Sequence, residues 1–132
     1  MEAKRIVVYL NQFFGQIGGE EEANTPPQSF DKPVGPGMGL QQLLPKNCTI
    51  VGTIVCGDGY FNENLEEASA TVQKMLDSFQ PHVVVAGPAF NAGRYGMACG
   101  TVGKIAHGMG IPAVSGMYPE NPGVESYRQY LY

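Results

Sequence analysis

The sequence predicts an α/β fold: a doubly wound, mainly parallel sheet of four to five strands with helices on both faces. Three observations carry that expectation. Short β-branched apolar runs recur along the chain and are continuous rather than alternating, as in strands covered on both sides. Segments between them repeat their apolar residues at helical spacing. A chain of 132 residues, 43% of them hydrophobic, fills one core rather than two. Residues 1–132 are therefore expected to form a single α/β domain.

Arg5 to Leu10 reads as a central strand. Asn11 to Gly37 carries Gly15, Gly18, Gly19, the acidic run Glu20 to Glu22 and four prolines, so nothing periodic runs through it. A loop so long in a compact domain is usually functional or mobile. Met38 to Leu44 can form a short helix that Pro45 stops. Thr49 to Cys56 is the second strand, and Gly57-Asp58-Gly59 reads as a turn tolerant of positive φ. Asn64 with Glu67 resembles a capping box, opening a helix whose Leu65, Ala68, Val72, Met75, Leu76 and Phe79 share one side.

Pro81 ends that helix, and His82 to Gly87 is a third strand. Gly93 to Met109 reads as a helix with Tyr95, Cys99, Val102, Ile105 and Met109 in a stripe. Its glycines at 96, 100 and 103 each cost roughly 1 kcal/mol relative to alanine, so close packing or a ligand should compensate. Ile111 to Ser115 is a fourth strand and Val124 to Gln129 a last short helix. Tyr130 to Tyr132 reads as the start of a fifth strand, so the chain reads as one segment of a larger assembly.

Composition narrows the partners. Eight basic against 12 acidic residues, a net charge of -4 and a pI near 5.0 leave no electrostatic footprint for nucleic acid or an anionic membrane. No apolar stretch is long enough for a membrane span or a signal peptide, which points to the cytoplasm. Three cysteines without CxxC spacing argue against a disulfide framework or a structural zinc site. No metal site is assigned, and the Glu20 to Glu22 run reads as a solvated charge run rather than a metal cluster. No Walker loop or GxGxxG follows a strand, so a nucleotide site has little support.

In an open α/β sheet the ligand crevice lies beyond the carboxyl ends of the strands. Here those segments collect aromatic rings and uncharged amides, and the substrate-binding candidates are Asn11, Tyr60, Phe61, Asn62, Asn91, Arg94, Tyr95 and Tyr118. Arg94 can anchor a small carboxylate through its two parallel donors, or it can simply fix a loop through a salt bridge. The rings of Phe13, Phe14, Tyr60, Phe61, Phe90, Tyr95 and Tyr118 can offer faces to an ammonium group, or pack under a subunit contact. Cys56 ends a strand as a candidate reactive thiol, yet no histidine is near it in sequence. Cys99, His82 and His107 read as structural.

The sequence resembles the selenoprotein subunit of component B of the glycine, sarcosine and betaine reductases of anaerobic, amino-acid-fermenting bacteria. The likeness rests on Asn11-Gln12-Phe13-Phe14-Gly15 with Ile17-Gly18-Gly19-Glu20-Glu21, on Val34-Gly35-Pro36-Gly37-Met38, and on Cys56-Gly57-Asp58 with Tyr60-Phe61-Asn62-Glu63-Asn64. It rests further on Ala86 to Gly96 and on Gly116-Met117-Tyr118 with Glu120-Asn121-Pro122-Gly123. These blocks correspond to the N-terminal part of that family. The resemblance implies a reaction that reductively cleaves the C–N bond of a small amine carboxylate. It implies as partners the companion subunits of component B and the carrier selenoprotein of the complex. It also implies a selenocysteine elsewhere in the subunit and, for the glycine enzyme, a pyruvoyl group on a companion subunit. No catalytic residue and no cofactor is assigned to this chain. Its expected part is substrate binding and subunit assembly, with self-association when alone. The alternative reading is a non-enzymatic small-ligand or protein-binding α/β module.

Overall fold

The computed structural model describes residues 2–132. Five strands form one sheet: β1 (Lys4–Asn11), β2 (Gln28–Phe30), β3 (Cys48–Cys56), β4 (Val83–Phe90) and β5 (Ala113–Met117), in the order β2-β3-β1-β4-β5. β3, β1, β4 and β5 are mutually parallel, and β2 pairs antiparallel with β3 at the edge. The helices are α1 (Pro36–Leu43), α2 (Asp58–Glu63), α3 (Leu65–Phe79), α4 (Gly93–Gly108) and α5 (Pro122–Tyr127). This is the mainly parallel α/β sheet that the alternating pattern predicts.

Alternate residues of β1 serve two cores. Val7 and Tyr9 pack with Ile54, Val84 and Ala86 under α3 and α4. Ile6, Val8 and Leu10 pack with Ile50 and Val55 on the opposite face, where Leu40 of α1 joins them. Ile50 and Ile54 face opposite sides despite their even spacing, because the β1–β3 register shifts between Ile6 and Val7. One extra residue there flips the parity of every side chain beyond it.

Three local expectations need correction. The Asn11–Gly37 segment is not featureless, since it holds β2 and a 3-10 turn at Glu20–Glu22. A three-residue strand set between prolines has no period to reveal it. Gly57-Asp58-Gly59 is no positive-φ turn: Gly57 is extended at φ -64° and ψ 137°, and Asp58 opens α2. Gly57 is needed because the backbone of Ala23 and Thr25 lies where a Cβ would go. Asn64 does not cap α3 with its side chain; its Nδ2 donates to the Tyr60 carbonyl instead, 3.2 Å away.

The glycines of α4 are explained by close packing. α4 is buried nearly all round, and a Cβ at Gly96, Gly100 or Gly103 would run into Asn121, Tyr127 or Leu131 respectively. Past α5 the chain makes a 3-10 turn at Arg128–Tyr130 and then extends. Tyr132 donates to the Ala113 carbonyl at 2.9 Å and accepts from the Ser115 amide at 3.0 Å, the bond pattern of a parallel bridge on the outer edge of β5.

The face that carries α1 is only half covered. α1 lies over β1 and β3, but a shallow apolar groove of 240 Å³ stays open between Leu40, Val85 and Pro88, and Met38 and Val114 are exposed.

Gly100 gives the first test. Alanine is the better helix former, but its methyl would meet the root of the Tyr127 side chain, so Gly100→Ala should destabilise the chain by about 1–3 kcal/mol. Gly108, at the end of the same helix, has nothing within 4 Å of its hypothetical Cβ. Gly108→Ala should therefore be neutral or stabilising by up to about 1 kcal/mol. Denaturant unfolding of both variants measures the contrast, and equal effects would refute the packing account.

Candidate functional site

β1 leads to β3 on one side, while β4 leads to β5 on the other. The point where these directions diverge is where an open α/β sheet leaves a crevice. A cleft of 460 Å³ opens there, of the size that holds small ligands. The end of β1 supplies Asn11, the segment after it Gln12, Phe13, Phe14 and Glu20, and the start of α2 supplies Asp58. The end of β4 supplies Phe90 and Asn91, α4 supplies Tyr95, and the segment after β5 supplies Tyr118.

Rings form a connected wall. Phe14 stacks on Tyr95 with centroids 5.9 Å apart and meets Phe13 edge-on at 5.2 Å. Phe90 lies 6.3 Å from Phe14 and meets Tyr118 edge-on at 6.2 Å. Phe90 has φ 50°, a left-handed conformation that an aromatic residue rarely adopts. Its carbonyl is clamped by the Tyr118 amide at 2.8 Å and by Asn121 Nδ2 at 3.0 Å. Asn121 is itself buried, and its Oδ1 accepts from the Gly123 amide to cap α5.

The polar part of the wall is built around Asn11. Its Nδ2 donates to Asp58 Oδ2 at 2.9 Å, and its Oδ1 accepts from the Phe14 amide at 3.0 Å. The Asp58 amide donates to Gln12 Oε1 at 3.0 Å. Asp58 is only 6% exposed, and its Oδ1 has no hydrogen-bond partner. Burial pushes its pKa up, and repulsion from Glu20 adds to this, while the Asn11 hydrogen bond and the Arg94 charge pull it down. The hydroxyls of Tyr95, Tyr9 and Ser115 are likewise buried and unpartnered. Burial raises the Tyr95 and Tyr9 pKa values, which keeps both phenols neutral.

Of the sequence-predicted residues, Asn11, Asn91, Tyr95 and Tyr118 line the cleft. Phe61 is fully buried, edge-on to Tyr9 at 5.9 Å. Tyr60 sits half-buried on α2, and Asn62 Nδ2 donates to the carbonyls of Asp58 and Arg94. Arg94 is outside the lining, its half-exposed guanidinium paired with Glu20. Phe14 and Phe90, two of the rings the sequence offers as faces for an ammonium group, also line the cleft, as do Gln12 and Asp58, which the sequence places at strand ends without assigning them to the site. Asp58 carried the clearest unused signal, an acidic residue two positions beyond the end of a strand.

Cys56 is no nucleophile in this setting. Its thiol is fully buried and is pushed up to about 12, first by burial and then by the Asp58 charge. Burial also raises Cys99. Among the described residues, no three His, Cys, Asp or Glu side chains converge as a metal site would require, and no helix is long and apolar enough to cross a membrane.

The family described as "Glycine/sarcosine/betaine reductase selenoprotein B" matches residues 3–132. The chain belongs to this family. It is 57% identical over 129 residues to the glycine reductase complex component B subunit gamma of Carboxydothermus hydrogenoformans, covering 97% of the chain and 30% of that relative. It is 48% identical to the sarcosine reductase complex component B subunit beta of Peptoclostridium acidaminophilum and 38% identical to the betaine reductase complex component B subunit beta of the same organism. Each of those matches covers 98% of the chain and 30% of the relative. The chain thus spans about a third of the length of the reductase subunits it matches. No solved structure matches it.

Asp58 has a cost that can be measured. Its pKa is raised in the fold, so the unfolded chain ionises first, and stability falls as pH rises from the ordinary carboxylate range through the folded value. Asp58→Asn should therefore melt higher than the parent at neutral pH, with the gap closing in mild acid. Thermal unfolding at the two pH values measures this. A variant that melts lower at neutral pH would show that the carboxylate stabilises the fold.

Proposed function

We propose that this chain is the N-terminal α/β portion of a component B reductase subunit and forms one wall of the cleft that binds a small amine carboxylate. The observation that supports this most directly is a ring-lined cleft at the topological switch point of a chain belonging to the reductase family. The reaction is the reductive cleavage of a C–N bond in glycine, sarcosine or betaine, in the cytoplasm, together with companion subunits and a carrier selenoprotein. The redox groups of that reaction, a selenocysteine and in the glycine enzyme a pyruvoyl group, belong to other parts of the assembly. The one thiol at a strand end here, Cys56, is buried and protonated and does not fit the nucleophile's role. What this chain's residues do is bind, orient and exclude water.

Within this reading Asn11, Asn91, Tyr95 and Tyr118 contact the substrate directly. Tyr60, Phe61 and Asn62 support the wall through α2. Arg94 takes the carboxylate at the rim by exchanging Glu20 for it. That exchange costs little, because an exposed ion pair is worth only about 0.2–1 kcal/mol.

Activity of the assembled complex tests the reading. With its companion components the subunit should turn over substrate, and this chain alone should not; turnover by the chain alone would refute the division of labour. In the complex, Arg94→Ala should weaken substrate binding by about 1–2 kcal/mol, and Glu20→Gln should tighten it slightly. Unchanged affinity in both would remove Arg94 from the site.

The half-covered face supports the assembly role. Exposed Met38 and Val114 beside the groove leave apolar surface that a companion subunit would bury, or a second copy when the chain is alone. Sedimentation at high micromolar concentration should show self-association, weakened by Val114→Lys. A clean monomer would count against this use of the face.

A further inference from the structure

The two edges of the sheet are finished differently. On the β3 side, β2 pairs with Thr53 to Val55. The Gln41 side chain of α1 carries that ladder on, its Oε1 accepting from the Ile50 amide at 2.6 Å and its Nε2 donating to the Cys48 carbonyl at 3.0 Å. β2 itself is three residues long and follows two prolines, which makes it a poor template for a further strand. On the β5 side Tyr132 makes both bonds of a parallel bridge to Val114, through the Ala113 carbonyl and the Ser115 amide. The backbone groups of Val114 and Gly116 turn toward β4, so those of Ala113, Ser115 and Met117 turn outward. Among the described residues nothing pairs with the Ser115 carbonyl or the Met117 amide. One bridge is made in register, and the backbone groups that would form the next stand open.

We propose that the outer edge of β5 is the docking edge for the stretch of the subunit that follows Tyr132, which adds a sixth strand parallel to β5 and delivers the loop after it to the cleft-bearing end of the sheet. The inference rests on the reading above only in taking the chain as the N-terminal portion of a longer subunit. The edge is already entered by this chain's own backbone, so lengthening the strand is an intramolecular step, favoured over a second copy or a companion chain by effective concentration. Leu131 packs against the core under α4, at the place where Gly103 has no side chain, and so fixes the direction in which Tyr132 leaves. The relatives are about three times the length of the chain, so polypeptide is present to continue the strand. Side-chain parity agrees. With Leu131 turned to the α4 face, Tyr132 turns to the α1 face beside its exposed bridge partner Val114. Strand order agrees as well: numbered along the chain, the parallel strands stand 2-1-3-4, and a strand through Tyr132 makes the order 2-1-3-4-5, a common doubly wound arrangement. A strand parallel to β5 ends at the same edge of the sheet as Tyr118, one strand spacing of about 4.8 Å beyond β5. The loop that leaves it therefore borders the cleft on the Tyr118 side.

Amide hydrogen exchange in the full-length subunit provides the test. The outward amides of Ser115 and Met117 should be protected as strongly as those of Val114 and Gly116, which face β4. In the chain ended at Tyr132 the Met117 amide should exchange at least about a hundredfold faster while Gly116 keeps its protection. Fast exchange at Met117 in the full-length subunit would overturn the proposal. So would protection that appears only when a companion subunit is added, or that grows with subunit concentration, because another chain would then hold the edge. Should the shorter chain fail to fold, a cross-link in the full-length subunit decides. With photoreactive benzoylphenylalanine in place of Val114, irradiation should join this position to the residues just after Tyr132, within one strand length of about five residues. Joining to another chain, or to a distant part of the same one, would refute the sixth strand. Turnover is read separately: a subunit that shows the protection and the cross-link but supports no turnover in the complex would refute the reductase reading and keep this one.

Discussion

Neighbouring parallel strands β1 and β4 send the chain to opposite sides of the sheet, and the gap this opens at their carboxyl ends governs the rest of the molecule. No crossover helix can cover that gap, so whatever fills it must come from strand-end segments. Asn11, the last residue of β1, is where those segments are joined. One side-chain amide holds Asp58 at the start of α2 and the Phe14 amide in the following loop. On the far side Asn121 does the corresponding work, tying the Phe90 and Ala92 carbonyls to the cap of α5. Two buried asparagines thus fix the two walls of the cleft, each spending both ends of its amide on different elements.

The helices are subordinate to this arrangement. α4 begins in the cleft wall with Tyr95, and the glycines along it let α5 and the C-terminal turn approach closely enough to carry Asn121 to the same place. Helix propensity is given up along α4 for proximity. The same preference for placement over stability shows at Phe90, held at positive φ, and at Asp58, a carboxyl kept out of water. Such departures gather at the strand ends, while the interior of the sheet is mostly Val, Ile and Leu, with buried Tyr9 and Thr53 as exceptions. That distribution confines strained and costly groups to the strand ends of an otherwise regular scaffold.

The sheet and its main helices were legible because their signals are periodic. Buried parallel strands read as continuous β-branched runs, and Ala68, Val72 and Leu76 repeat at helical spacing. β2 was not legible, since three residues between prolines carry no period, and α2 was hidden because Gly57-Asp58-Gly59 resembles a turn. The glycine there answers to the backbone of Ala23 and Thr25, more than thirty residues earlier, which no local pattern records. For the candidate site, the sequence pointed to the edge of the sheet where the cleft opens but not to which side chains turn inward. Tyr60 and Phe61 are adjacent on one helix, yet Phe61 disappears under Tyr9 while Tyr60 stays half-buried. Direction around a single helical turn, set by tertiary packing, buries one and leaves the other at the surface of α2, and neither lines the cleft.

Two kinds of polar contact meet at the cleft, and their physics differs. The Arg94–Glu20 pair is exposed, so water screens it and competes for both groups. It can open and close without disturbing anything beneath it. The Asn11–Asp58 contact is buried and shares its amide with the backbone, so it cannot be exchanged without loosening the loop after β1. The cleft therefore has a rim that can rearrange and an interior that cannot. The rim pair weakens as ionic strength rises. The interior contact does not, because a hydrogen bond missing there leaves a buried acceptor that water does not repair.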